Sequence, residues 1–170
     1  MYLRTEILKD NSRDHIIHLT DWIGGNASRV DQLIGLFLHD EYRVVQRAAW
    51  IISYVAQEHP ELIAPHLPAM VQRMEDAGIP VAVKRNVIRV LQFLPIPPDL
   101  HGPVMNHCFN FLADPEETVA VRAFSMTVLS HLAQEYPDIK QELRLILEDQ
   151  LAQKNSPGFT SRAKKVLKLL

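Results

Sequence analysis

Residues on one helical face recur along this chain at steps of four and three: Val45, Ala49, Ile52 and Ala56; Val83, Val87, Val90 and Leu94; Val121, Ser125, Val128 and Leu132. With 3.6 residues to a helical turn, that spacing lines each set along one side of an α-helix. Strand signals are absent throughout. Corresponding members of the three sets stand 38 positions apart. A longer match, Val55 to Leu62 against Leu132 to Ile139, is offset by 77 positions, about twice that step. One helical unit is therefore repeated, and each copy buries its apolar face against its neighbours.

Proline divides each copy into two helices. Pro60-Glu61, Pro98-Asp99 and Pro137-Asp138 each place proline in a first helical turn and follow it with an acid that suits the positive end of the helix dipole. Second helices are expected to begin near Asp40-Glu41, near Pro80, at Asp114-Pro115-Glu116-Glu117 and at Ser156-Pro157. Asp114 with Glu117 reads as a capping box and Ser156 as an N-cap. Pro65, Pro68 and Pro103 are expected to kink or delay the first helices they fall in. The resulting pairs span about 26–59, 60–96, 97–136 and 137–170, within one domain of residues 1–170. Residues 1–25 form an N-terminal helical segment, with Ile16, Ile17, Leu19 and Ile23 available to cover the open end.

The period, the proline-marked first helices and the stretch Asp114-Pro115-Glu116-Glu117-Thr118-Val119-Ala120-Val121-Arg122 resemble HEAT repeats, whose second helix carries an Asp followed by Val-Arg. Val45-Gln46, Val83-Lys84 and Ser161-Arg162 are departures from that signature in the other pairs. The resemblance implies an all-α, right-handed α-solenoid of about four HEAT-like helix pairs with an N-terminal capping helix segment. It also implies that second helices line a concave surface, and that the protein is a non-catalytic binding scaffold.

Composition narrows the partner. Apolar residues make up 47% of the chain and charged residues 22%, an ordinary globular balance. A net charge of −2 supplies no global field for nucleic acid, so binding there would need a localised basic patch. The single cysteine, Cys108, excludes an intrachain disulfide and fits a reducing compartment. Met1 to Asp10 carries acids where a signal peptide needs a continuous apolar run, and no apolar stretch approaches the roughly 20 residues of a membrane span. A cytoplasmic protein without membrane contact is expected.

Positions shared by every copy are explained by packing, so specific function is sought where copies differ. Arg43, Arg47, Trp50 and Tyr54 form a basic and aromatic stripe at steps of four, three and four on the second helix of the first full pair, and Arg85 and Arg89 lie one copy on. Guanidinium groups can hold carboxylate or phosphate, and indole and phenol rings give flat apolar area. An acidic segment of a protein or peptide is the matching ligand class. The alternative is that Trp50 packs against a neighbouring helix while the arginines pair with nearby acids.

Other chemistry is thinner. His15 and His18, with Asp14 or Asp21, lack a full ligand set, so no metal is assigned; no cofactor is expected either. Lys154, Arg162, Lys164, Lys165 and Lys168 read as a solvated face at a helix C-terminus. Glycine-rich phosphate loops, Gly-x-Ser-x-Gly elbows and His-Glu-x-x-His motifs do not occur. The enzymatic rival is the HEAT-like DNA alkylation repair group, which grips DNA through arginines and aromatic residues on its concave surface. No acid stands among the stripe positions to steady a cationic transition state.

Overall fold

The computed structural model describes residues 1–170, and every regular element in it is an α-helix or a 3₁₀ turn. The chain divides into two units, residues 1–96 and 97–170. In the first are α1 (Leu3–Lys9), α2 (Arg13–Ile23), α3 (Ala27–His39), α4 (Tyr42–Glu58), α5 (Pro60–Ile63), a 3₁₀ turn (Ala64–His66), α6 (Leu67–Arg73) and α7 (Val81–Leu91). The second holds α8 (Pro98–Ala113), α9 (Val119–Glu135), α10 (Asp138–Leu151) and α11 (Pro157–Leu167).

In the first unit α4 is the hub, packed against α1, α2, α3, α5 and α7. Val45, Ala49, Ile52 and Ala56 are all buried, and so are Val44, Ala48, Ile51 and Val55 beside them. A helix buried on two flanks needs an apolar arc wider than a single stripe. In the second unit α9 has the same place, contacting α8, α10 and α11 and burying Val121, Ser125, Val128 and Leu132. The matching residues of the middle copy, Val83, Val87 and Val90 on α7 and Leu94 just beyond its end, are buried too. The register read from the apolar skeleton is the register of the core.

Helix boundaries follow local chemistry. Asn26, Ser12, Thr118 and Ser156 each accept a backbone N–H from the first turn of the helix they precede. Pro65 and Pro68 break the first helix of the second pair into α5, the 3₁₀ turn and α6. Pro103 does not interrupt α8. It stands near the helix start, where it forfeits only the bond to the Asp99 carbonyl. The expected capping box is also corrected: α9 starts at Val119 with Thr118 as its cap, four residues later than Asp114 suggested. Asp114 instead accepts the Glu116 N–H at 2.9 Å, holding Asp114–Glu117 as a turn. Its side chain competes for nearby amides and Pro115 favours the turn.

The N-terminal helical segment consists of two helices, α1 and α2. The Asp10 carboxylate accepts from the Asn11 and Ser12 amides at 2.7 and 3.0 Å and from the Ser12 hydroxyl at 2.5 Å, closing the turn between α1 and α2. Arg4 grips Asp40 in a two-pronged pair at 2.8 and 3.0 Å. The Arg4 hydrogen bond is the main reason the Asp40 carboxyl lies below its ordinary value, and the Ser12 hydroxyl is the main reason for Asp10. A carboxylate held low in the folded state stabilises it above the unfolded value near 4, and the gain is lost as pH falls through the folded value. Thermal stability should therefore fall as pH drops below about 4, with a shallower slope for Asp40→Asn. Melting curves from pH 2 to 6 check this.

Candidate functional site

Of the six residues singled out by sequence, the structure brings three to one place. Arg43, Arg47 and Trp50 on α4 line an open pocket of about 430 Å³ with Asn11, Tyr42 and Gln46. Arg43 is exposed, whereas Arg47 and Trp50 are half-buried. Neither arginine meets a carboxylate. Tyr54 stands one helical turn beyond Trp50 and Arg89 lies on α7; both are half-buried and neither lines the pocket.

Arg85 reaches the rim indirectly. Its Nη2 donates to Gln46 Oε1 at 3.0 Å, and Gln46 Nε2 donates to Tyr42 Oη at 2.9 Å. Both ends of the Gln46 amide are thus engaged, which fixes its orientation. The three pocket residues that the stripe did not include, Asn11, Tyr42 and Gln46, arrive by two routes. Tyr42 and Gln46 are four apart on α4, a signal present in the sequence beside the arginines. Asn11 comes from the turn after α1, and no periodicity points to it.

Arg47 has a packing duty that the stripe concealed. Its Nη1 donates to the Ile7 carbonyl at 2.8 Å, in the last turn of α1. The same device recurs: Arg29 donates to the Trp22 carbonyl at the end of α2, Arg73 to Leu38 at the end of α3, and Arg122 to Leu112 at the end of α8. Helix C-termini leave carbonyls without partners and carry partial negative charge, which a guanidinium satisfies on both counts. Arg122, the arginine of the Val-Arg pair in α9, also stacks over the Phe159 ring at 4.5 Å, and burial lowers its pKa. Arg47 therefore belongs both to the packing and to the pocket.

The stripe does not continue as an open face. Ile88 and Met126, which occupy the Trp50 position one and two copies on, are fully buried. On α4 that position is only partly covered, beside the turn that carries Asn11, and the gap is the pocket.

Residues 3–170 match the HEAT repeat domain. The chain belongs to the HEAT-repeat family. Comparisons with curated proteins and with solved structures returned no match. HEAT repeats commonly serve as protein-interaction scaffolds.

Elsewhere in this HEAT-repeat chain the candidate chemistry is structural. His15 Nε2 lies 2.8 Å from the Glu6 carbonyl, and no group of three or more His, Cys, Asp or Glu side chains is arranged to hold a metal ion. Cys108 is fully buried, and that burial pushes its thiol up to about 12, opposed by the Ser125 hydroxyl. Such a thiol is a packing group rather than a nucleophile. No helix is long and apolar enough to cross a membrane.

Proposed function

We propose that this chain is a non-catalytic binding scaffold that takes an acidic segment of a protein or peptide in the α4 pocket. The observation that carries the reading is the pocket's composition: two guanidiniums, one indole and three neutral polar side chains, with no carboxylate to neutralise them. Two arginines one turn apart can hold a carboxylate through charge-assisted hydrogen bonds, and Trp50 offers flat apolar surface to a neighbouring side chain. The volume falls in the range of pockets that seat a small ligand or a few side chains.

The pocket lining contains no carboxyl, thiol or imidazole, and its one phenol, Tyr42, is engaged as acceptor of the Gln46 amide. That composition favours binding over chemistry. It also weakens the alkylation-repair alternative, which needs a carboxylate beside the guanidiniums. The lining supplies only two cations, few for a duplex whose affinity grows with each phosphate neutralised.

A direct comparison tests the reading. An eight-residue fluorescent peptide of paired glutamates and single leucines is expected to bind saturably and to weaken as salt rises, while a 20-base-pair duplex shows no comparable binding. Absence of saturable peptide binding up to about 1 mM, a free energy of only about −4 kcal/mol, would defeat the proposal. Preferential duplex binding would replace it with the nucleic-acid reading.

A further inference from the structure

The pocket is not built by the repeat alone. One wall is α4; the other is the turn between α1 and α2, which contributes Asn11. The two walls are joined by the hydrogen bond from Arg47 to the Ile7 carbonyl. We propose that residues 3–11 are a positioning element of the binding pocket rather than only an end cap, so that docking of α1 and binding of the acidic segment stabilise each other. This rests on the reading of the pocket as an acidic-segment site.

Little apart from docking holds α1 in place. A seven-residue helix is far below the length that is stable alone in water, so α1 exists because it docks. Only Leu3 and Ile7 among its side chains are buried. The remaining anchors are the two-pronged Arg4–Asp40 pair, supported by Glu41 at 3.6 Å from Arg4, the His15 ring nitrogen at 2.8 Å from the Glu6 carbonyl, and the Arg47 bond. Segments with few buried apolar contacts open locally at a free energy below that of global unfolding.

When α1 opens, the pocket loses Asn11 and Arg47 loses the carbonyl that fixes its side chain. The acidic segment does not have to break that bond. A guanidinium has five N–H donors, and the Ile7 contact uses one, leaving others for a carboxylate. Ligand and α1 can therefore hold Arg47 together. Because the coupling is thermodynamic it runs both ways: whatever holds α1 down strengthens binding, and binding holds α1 down. Asn11 is itself steadied by the Asp10 cap, which accepts the Asn11 and Ser12 amides and holds the turn that follows α1.

Arg4 and Asp40 do not line the pocket, which makes them the clean handle. Arg4→Gln should weaken the glutamate–leucine peptide roughly fivefold or more, the usual lower range of such couplings. The swap Arg4→Asp with Asp40→Arg should recover much of that loss, a rescue that general destabilisation would not give. In the wild-type chain, added peptide should slow amide exchange across residues 3–9. Unchanged affinity in Arg4→Gln, alongside faster exchange of α1, would overturn the coupling.

A ligand-free arm separates the two claims. Arg47→Met should speed exchange of residues 3–9 while α7 keeps its protection. If α1 exchange does not change, Arg47 does not position it and the inference fails whatever the peptide does. If the wild-type chain binds no peptide, the functional reading fails and the coupling with it, but faster α1 exchange in Arg47→Met would still show that Arg47 and α1 hold each other.

Discussion

Replacing Phe37 by alanine is expected to cost about 3–5 kcal/mol of folding stability, the usual toll for deleting a buried ring. Phe37 lies in α3, is fully buried, and heads the largest side chains sealed from solvent. Its helix packs against α1, α4 and α5, so the cavity would open at the centre of the first unit, where four helices share one core. Native stabilities are typically about 5–15 kcal/mol, so this single change removes a large part of the margin. The melting temperature should fall by roughly 10 °C or more. Phe93→Ala is the matched control: Phe93 is 52% exposed, and its loss should stay within about 0.5 kcal/mol. Chemical denaturation of both variants checks the contrast, and equal losses would show that the assigned core is wrong.

The second large effect falls on binding. Arg43→Glu should weaken the acidic peptide by about tenfold to a hundredfold or more, because it removes a charge-assisted hydrogen bond worth about 1.5–3 kcal/mol and puts repulsion in its place. Arg43 is the exposed member of the pair, with no structural duty of its own, so folding should be unaffected. Trp50→Ala should cost about 2 kcal/mol of binding if the indole is the apolar anchor. Arg47 is a poorer choice for this purpose, since its bond to Ile7 mixes packing with recognition. Titrations of the two variants, with their melting curves alongside, give the answer. Retained affinity in both would remove the pocket from the account.

Much of the fold was legible because burial imposes a period. Val45, Val83 and Val121 mark equivalent helical positions, and each is buried. Proline also told part of the story, since Pro60 and Pro98 open helices where expected. The start of α9 was misread because Asp114 and Thr118 are both competent caps four residues apart. Choosing between them requires knowing that Pro115 continues a turn rather than a helix. The break between α1 and α2 was not legible because the stop is made by Asp10 bonding to its neighbours' amides, a local device with no proline or glycine to announce it.

The site was legible only in its helical half. Arg43, Arg47 and Trp50 share a face of α4, so spacing sufficed to group them. Asn11 was invisible because it joins the pocket across a tertiary contact. The structural role of Arg47 was hidden for a different reason: its partner is a backbone carbonyl, and no side-chain pattern records which carbonyls a helix end leaves unpaired. Tyr54 was grouped by the same spacing and Arg89 by its place beside the next copy's stripe positions, yet the pocket does not include them, because helical periodicity gives direction and not depth of cover.

The most direct measurement of the central claim is a ¹⁵N-resolved titration of the assigned protein with the glutamate–leucine peptide. Shift changes are expected to concentrate at Asn11, Arg43, Gln46, Arg47 and the Trp50 indole N–H, with smaller changes spreading into residues 3–9. Changes concentrated instead on the lysines of α11, with the Trp50 indole unmoved, would contradict it.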